Sequence, residues 1–463
     1  MADTVTKNLQ NEAATNKYGV NITTDLCRFI VNAKYEMLTA KHIEKLKDLI
    51  VDHIGIAAGA AAGADSSEPF LRAVQALNGD GTGPFSPQWA GFLNAAYSHS
   101  FDFDDTHAAS ILHPGATAIP AALVQAELNR SDGKSFLLAV AVGYEITTRL
   151  GRGLNYGGYT RGFHNTATAG VFGATAAICK LRGFTAAQVA DALGLALSRA
   201  SGTMQYLANG AWNKRLHPGF AVHDAFLAAT LAAAGVVGAA EPVEGDYGLL
   251  HAYSATSTAA GLTAGLGTEW IFAATAMKPF PSCRMTHSAI EVVANVAAAR
   301  ASSDGEKQGI DSFTVELSPG CFPIVATEIP NKLQPQTVVD AQFSIYYQVA
   351  VAWLYGTGAG WAMYEKLGDA EVLGWCRKVK AVVANDVRDL QARVTFRFAD
   401  GTTLTEGIVY PLGEDEHPFS REQVHAKFLG ITSSCYSKER QRQILDTVER
   451  IDTISVDELL QIL

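Results

Sequence analysis

Several things are scarce in this chain of 463 residues, and each scarcity removes a class of protein. Only six cysteines occur, at Cys27, Cys179, Cys283, Cys321, Cys376 and Cys435, with no CxxC pair among them. That excludes a disulfide framework and the common zinc ligand spacings, and it points to a reducing compartment. Charged residues make up 18% of the chain, the net charge is −10, and no block of like charges stands out. A general electrostatic partnership with nucleic acid or an anionic membrane is therefore not expected. There is no long apolar run of the kind a membrane span needs; apolar stretches such as Phe226 to Ala240 are short and rich in alanine. The opening MADTVTKNLQNEAATNKYG has no secretory h-region and no clear mitochondrial presequence, so the expected location is the cytoplasm, with the mitochondrion as the alternative. No glycine-rich phosphate loop, no dinucleotide fingerprint and no metal cage is present, and no cofactor is expected.

What is abundant is alanine and glycine in helical patterning. The chain is too long for one simple core, so two domains are expected. The first twenty residues are polar and read as a flexible extension. From about Thr24, apolar residues recur at three- and four-residue spacing. This predicts helices over 45–63, 87–99, 120–129, 135–151, 165–181, 186–202, 223–235 and 253–265. After about Met277 the pattern changes. Phe313–Leu317 and Val394–Phe398 alternate like strands, and an Asp400-Gly401 turn leads into Thr403–Tyr410 as a hairpin. Helices are expected at 286–299 and 341–355 between them, and a charged helical tail follows from Ser420. The fold class is mainly α: a large helical domain over 1–271, a smaller α/β domain over 272–410, and C-terminal helices over 411–463 that return to the first.

Four polar segments interrupt this background. Ser98-His-Ser-Phe-Asp-Phe-Asp-Asp-Thr-His107, running on to Leu112-His-Pro-Gly115, packs three aspartates and three histidines into a short stretch. Helix-end solvation is the plain alternative, and a metal site the chemical rival, but D-x-D-D-x-H fits no standard ligand spacing. Acid–base work calls for this mixture of carboxylate and imidazole. Gly162-Phe-His-Asn-Thr places His164 ahead of a helix; alone, it reads as a residue of a capping turn. Asn213-Lys-Arg-Leu-His-Pro-Gly219 is a solvated loop or, with Lys214 desolvated, a carboxylate-binding or proton-transfer group. Lys278-Pro-Phe-Pro-Ser-Cys-Arg-Met-Thr-His287 is a stiff linker or a rigid loop that aims Lys278, Arg284 and His287 into a domain cleft. Cys283 lacks any partner arrangement for a nucleophile.

These segments, with Gly143-Tyr-Glu-Ile146, occur in order over 99–287, and the series resembles the MmgE/PrpD family of 2-methylcitrate dehydratases, cis-aconitate decarboxylases and iminodisuccinate epimerases. A looser match continues through Ala341-Gln-Phe-Ser344 to the C-terminus. The resemblance implies a helical domain built from both chain ends, a smaller α/β lid, a homodimer, and an active site in the cleft between the two domains. Carried over by position, it implies Asp102, Thr106, His113, His164, Lys214 and Lys278 as polar site residues. Cys283 stands where some decarboxylases carry histidine, the linker from Asp102 to His113 is one residue longer than in the animal decarboxylases, and Cys283-Arg-Met-Thr-His287 matches a form associated with dehydratase-like members.

Removing a proton beside a carboxylate builds a second negative charge on it, so pre-placed cations are required; Lys214, Lys278 and Arg284 are the candidates. Imidazoles suit proton transfer near neutral pH. The expected catalytic set is Asp102, His113, His164 and Lys214. Thr106, Lys278, Cys283, Arg284 and His287 are expected to bind a small polycarboxylate, without metal. The favoured reaction is loss of water from a methylcitrate- or alkylcitrate-like acid. Decarboxylation of cis-aconitate is the alternative, followed by epimerisation of an amino- or imino-dicarboxylate and by an inactive carboxylate-binding relative.

Overall fold

The structure, a computed structural model, describes residues 18–78, 84–304, 309–358 and 360–463. The polar opening residues expected to be flexible lie almost entirely outside these.

Mainly helical architecture is what the structure has. One apolar core gathers Leu26, Ile50, Val140, Phe172, Val222 and Ala229 from the first half of the chain, and Phe428, Ile444, Val456 and Leu459 from its end. The chain ends meet because the helices Arg421–Thr432 and Lys438–Glu449 pack on Ala40–Gly63. Small residues set the spacing deeper in. Gly133–Thr160 packs on Gly170–Leu181, and a Cβ at Gly173 would meet Thr147 Oγ1 at 1.8 Å and Gly143 O at 2.5 Å. Such an approach is open only to glycine.

The second core belongs to a four-stranded sheet in the order β2-β1-β3-β4. β1 (Ile310–Leu317) runs parallel to β2 (Val379–Val383) and antiparallel to β3 (Ala392–Phe398), which pairs with β4 (Thr403–Ile408). Helices His287–Asp304 and Ile345–Tyr355 cover it, burying Phe313, Val315 and Phe396 against Val293, Val349 and Trp353. The β3–β4 hairpin is as expected, with Gly401 at φ +86° in its turn. β2 is a strand that the periodicity did not mark.

Two helix expectations fail. The Asn213–Ala233 helix begins ten residues before the expected start and runs straight through Pro218. The segment 254–265 is not helical; the short helix Leu249–Tyr253 stops before it. The carbonyls of Leu262 and Ala264 accept from the buried Arg149 guanidinium at 2.9 and 2.8 Å, and Gly261 and Gly265 take positive φ. A tertiary partner has claimed groups that a helix would use internally. All six cysteines are free. Among the described residues, no helix is long and apolar enough to cross a membrane.

Candidate active site

A cavity of about 680 Å³ opens where the helical body meets the sheet domain. Its floor is Asp102. This aspartate follows the Pro87–Ser100 helix at φ +49°, a left-handed conformation that aspartate tolerates better than most side chains. Lys214, in the first turn of Asn213–Ala233, donates to Asp102 Oδ1 at 2.7 Å. Lys278, from the rigid linker between the domains, donates to the same oxygen at 2.6 Å and to the Asp102 carbonyl at 2.9 Å. The clasp therefore joins three segments distant in sequence. Burial disfavours the Asp102 charge, but Lys214 and Lys278, with His113 and His99, outweigh it and hold the carboxyl well below the usual carboxylate range. Burial likewise pushes Lys278 down, against the pull of Asp102.

Imidazoles surround the clasp. His113 precedes the Gly115–Asn129 helix; its Nε2 is 3.9 Å from Asp102 Oδ1 and its Nδ1 3.2 Å from Asp104 Oδ2, the latter not aligned as a hydrogen bond. Asp105 anchors the turn, accepting from the Gly115 N–H at 3.0 Å and from the Tyr144 hydroxyl. Gly115 is required there, since a Cβ would fall 2.4 Å from Asp105 Oδ2. Burial pushes Asp105 up to about 7. His164 sits at the N-cap position of a one-turn helix but makes no capping bond. Its Nδ1 faces His217 Nδ1 at 3.0 Å, and its Nε2 is buried without a partner. Burial, then the neighbouring His217 and Lys214, hold His164 well below the ordinary histidine range. His217 is pushed down to about 3 by burial and by His99 and Lys214. The imidazoles are thus neutral at pH 7.

Of the expected residues, Asp102, Thr106, His113, His164, Lys214, Lys278, Cys283 and Arg284 all line this one cavity. Thr106 presents a buried hydroxyl without a hydrogen-bond partner. Cys283 is buried, and burial with the Asp102 charge raises its thiol, which leaves it protonated and a poor nucleophile. Two placements correct the expectation. Arg284 is spent: its Nε donates to Glu414 Oε1 at 2.8 Å and its Nη1 to Leu412 O at 3.0 Å, so the cation is neutralised within the protein. His287 is not on the cavity wall; its ring nitrogens face Arg284 Nη1 at 2.9 Å and Ser282 O at 3.2 Å, so it positions Arg284.

Sequence reasoning missed His99, His217, Tyr159, Tyr206 and Arg388. His99 Nδ1 bonds Asp104 Oδ2 at 2.6 Å beneath the site, and the other four residues reach the cavity or His164. His99 and His217 lie inside segments already singled out. No local signal marks the tyrosines or Arg388.

Fold and site together define a protein whose helical body, closed by both chain ends, meets an α/β domain over a buried Lys/Asp/His cluster. The chain belongs to the MmgE/PrpD family: the N-terminal domain model matches residues 24–261 and the C-terminal domain model residues 280–453. It is 26% identical to a cis-aconitate decarboxylase of Aspergillus terreus over 98% of both chains. It is also 26% identical to a cis-aconitate decarboxylase-like protein of Aspergillus oryzae, over 96% of this chain and 97% of that one. The human cis-aconitate decarboxylase is 27% identical over 80% of this chain and 77% of its own.

Proposed function

We propose that this protein is a lyase that removes CO2 from a small unsaturated tricarboxylate of the cis-aconitate kind. The observation that carries the reading is the double clasp on Asp102. Dehydration of a citrate-like acid needs a base for a very weakly acidic proton. A carboxylate held by two ammonium groups at 2.7 and 2.6 Å is a poor base. Decarboxylation of a β,γ-unsaturated acid needs no base, only charge stabilisation and one proton donor. The resemblance to named cis-aconitate decarboxylases supports the same choice, in place of the dehydration that the motifs alone favoured.

The electron pair of the breaking C–CO2 bond forms the new alkene. The old π pair moves to the far carbon, which lies beside a second carboxylate. That carboxylate takes on dienolate charge, and Lys214 and Lys278 are the groups to stabilise it, each worth about 3–4 kcal/mol by analogy with single oxyanion donors. A proton then reaches the far carbon, one for each CO2 released. His164 is the proposed donor. Only one of the two facing Nδ1 atoms can carry hydrogen; if His217 donates, His164 carries its proton on the unpartnered Nε2. His113 is proposed to bind a carboxylate beside Asp102.

The test is a panel of cis-aconitate, 2-methylcitrate, citrate and iminodisuccinate, with EDTA present. CO2 release from cis-aconitate is expected, accompanied by uptake of one proton per turnover. Alkene absorbance appearing from 2-methylcitrate, with no CO2 from cis-aconitate, would overturn the reading in favour of dehydration.

A further inference from the structure

Beneath the clasp, three histidines from separate segments, His99, His113 and His164, bring one ring nitrogen each to within 4.8 Å of one another, all buried. Two of these rings are fixed in the manner of metal ligands. His99 is held through Nδ1 by the Asp104 carboxylate at 2.6 Å, and His164 through Nδ1 by His217 at 3.0 Å. In each case the opposite nitrogen, Nε2, is buried and has no hydrogen-bond partner. A carboxylate that sets the tautomer and aims the other nitrogen is what orients histidine ligands in metal sites; His217 does the same for His164 when His164 carries its proton on Nδ1, the tautomer opposite to the one that serves proton transfer. His113 is tethered more loosely, by the unaligned 3.2 Å approach of its Nδ1 to Asp104 Oδ2.

We infer that His99, His113 and His164 form a binding site for a divalent transition-metal ion of the zinc type, whose occupation takes His113 from carboxylate binding and His164 from proton transfer. The all-nitrogen donor set selects zinc-like ions over magnesium or calcium, which take oxygen ligands. Zinc–nitrogen bonds of about 2.0–2.1 Å place tetrahedral donors roughly 3.4 Å apart, so the rings must draw in by roughly 1 Å, a shift that no aligned hydrogen bond at His113 Nδ1 opposes. Lys214 and Lys278 oppose an added cation, while Asp102 and Asp104 offset them. The ion enters by the cavity, which His113 and His164 line; His99 is buried and does not line it. The inference concerns binding and is independent of which bond the enzyme breaks.

Cobalt(II) reports the site directly, because low-coordinate Co2+ with nitrogen ligands absorbs in the visible. Titration of the full-length protein, without substrate, is expected to give a saturable band displaced by Zn2+. His99→Gln and His164→Gln should each weaken Co2+ binding at least tenfold, and Asp104→Asn roughly ten- to a hundredfold. Circular dichroism checks that each variant folds, and any one folded variant suffices to decide. Turnover should fall on adding Zn2+ and return with EDTA. Absence of a saturable band in the unaltered protein overturns the inference, as does a band of unchanged affinity in a folded variant. A protein that binds Co2+ as described yet releases no CO2 from cis-aconitate would sink the proposed reaction and leave the metal site standing.

Discussion

Two buried charged clusters in this molecule are alike in burial and differ in what they leave open. In the helical body, Glu145 and Arg149 sit one turn apart, with Arg149 Nε donating to Glu145 Oε1 at 2.6 Å. The other Arg149 nitrogens donate to Leu262 O, Ala264 O and Glu269 O, while Glu145 accepts the backbone N–H of Ile271 and Phe272. Neither residue is among the buried groups lacking a partner. In the cleft, Asp102 is equally buried and equally paired, yet Asp102 Oδ2, Thr106 Oγ1, His99 Nε2 and His164 Nε2 have none. A saturated cluster builds structure, here the shape of the 254–265 segment. An unsaturated one keeps binding capacity in reserve, at a cost in stability that only a ligand offsets.

The comparison can be broken by removing one cation from each cluster. Arg149→Leu leaves Glu145 buried and uncompensated, and should lower stability by about 3–5 kcal/mol in urea unfolding. Turnover per folded molecule should change little; a large loss would mean that this cluster also serves the reaction. Lys214→Met is expected to do the reverse. Lys278 still neutralises Asp102, so stability should shift less than for Arg149→Leu, while CO2 release from cis-aconitate should drop about 10²–10³-fold. Activity within tenfold of the unaltered enzyme would remove Lys214 from the proposed charge stabilisation.

Acid sharpens the contrast. Burial pushes His99 and His217 down to about 3, and His53 and His107 down to about 4. Each titrates near 6.5 in an unfolded chain. Below that pH the unfolded chain binds protons that the folded one refuses, so stability is complete above about 6.5 and falls as the pH drops towards 4. Each group contributes at most about 1.4 kcal/mol per pH unit. Urea midpoints measured at pH 7.5, 6 and 5 should decline steadily; equal midpoints would show that these rings are not buried neutral. The smallest expected effect belongs to His217→Asn, which removes the ring partner of His164 without touching the clasp. About a tenfold loss of kcat, with KM nearly unchanged, is expected from the lost tautomer control. A rise in KM alone would reassign His217 to substrate binding.

Much of this molecule was legible from local pattern. Spacing marked most of the helices and the hairpin, because burying one face of an element leaves a periodic trace in its own residues. The four polar segments were conspicuous against an Ala-rich background, and they brought most of the site to attention. Chemical role was not legible in the same way. Arg284 and His287 share a loop with Lys278 and read as its equals, but Glu414, from elsewhere in the fold, consumes Arg284, and His287 turns to Arg284 and to Ser282 of its own loop. The stretch from Tyr253 to Gly265 had helical composition, yet Arg149 took its carbonyls.

By itself, then, the sequence determined the mainly helical build, the sheet hairpin and the stock of lysines, histidines and aspartates. Only the tertiary structure decided which of them converge, that Asp102 is clasped from two sides and made a poor base, and which ring nitrogens stay open. The physical reason is that periodicity is a property of neighbours in the chain. The charge state and free valence of a buried group are set by partners over a hundred residues away, as the Lys214 and Lys278 bonds to Asp102 are.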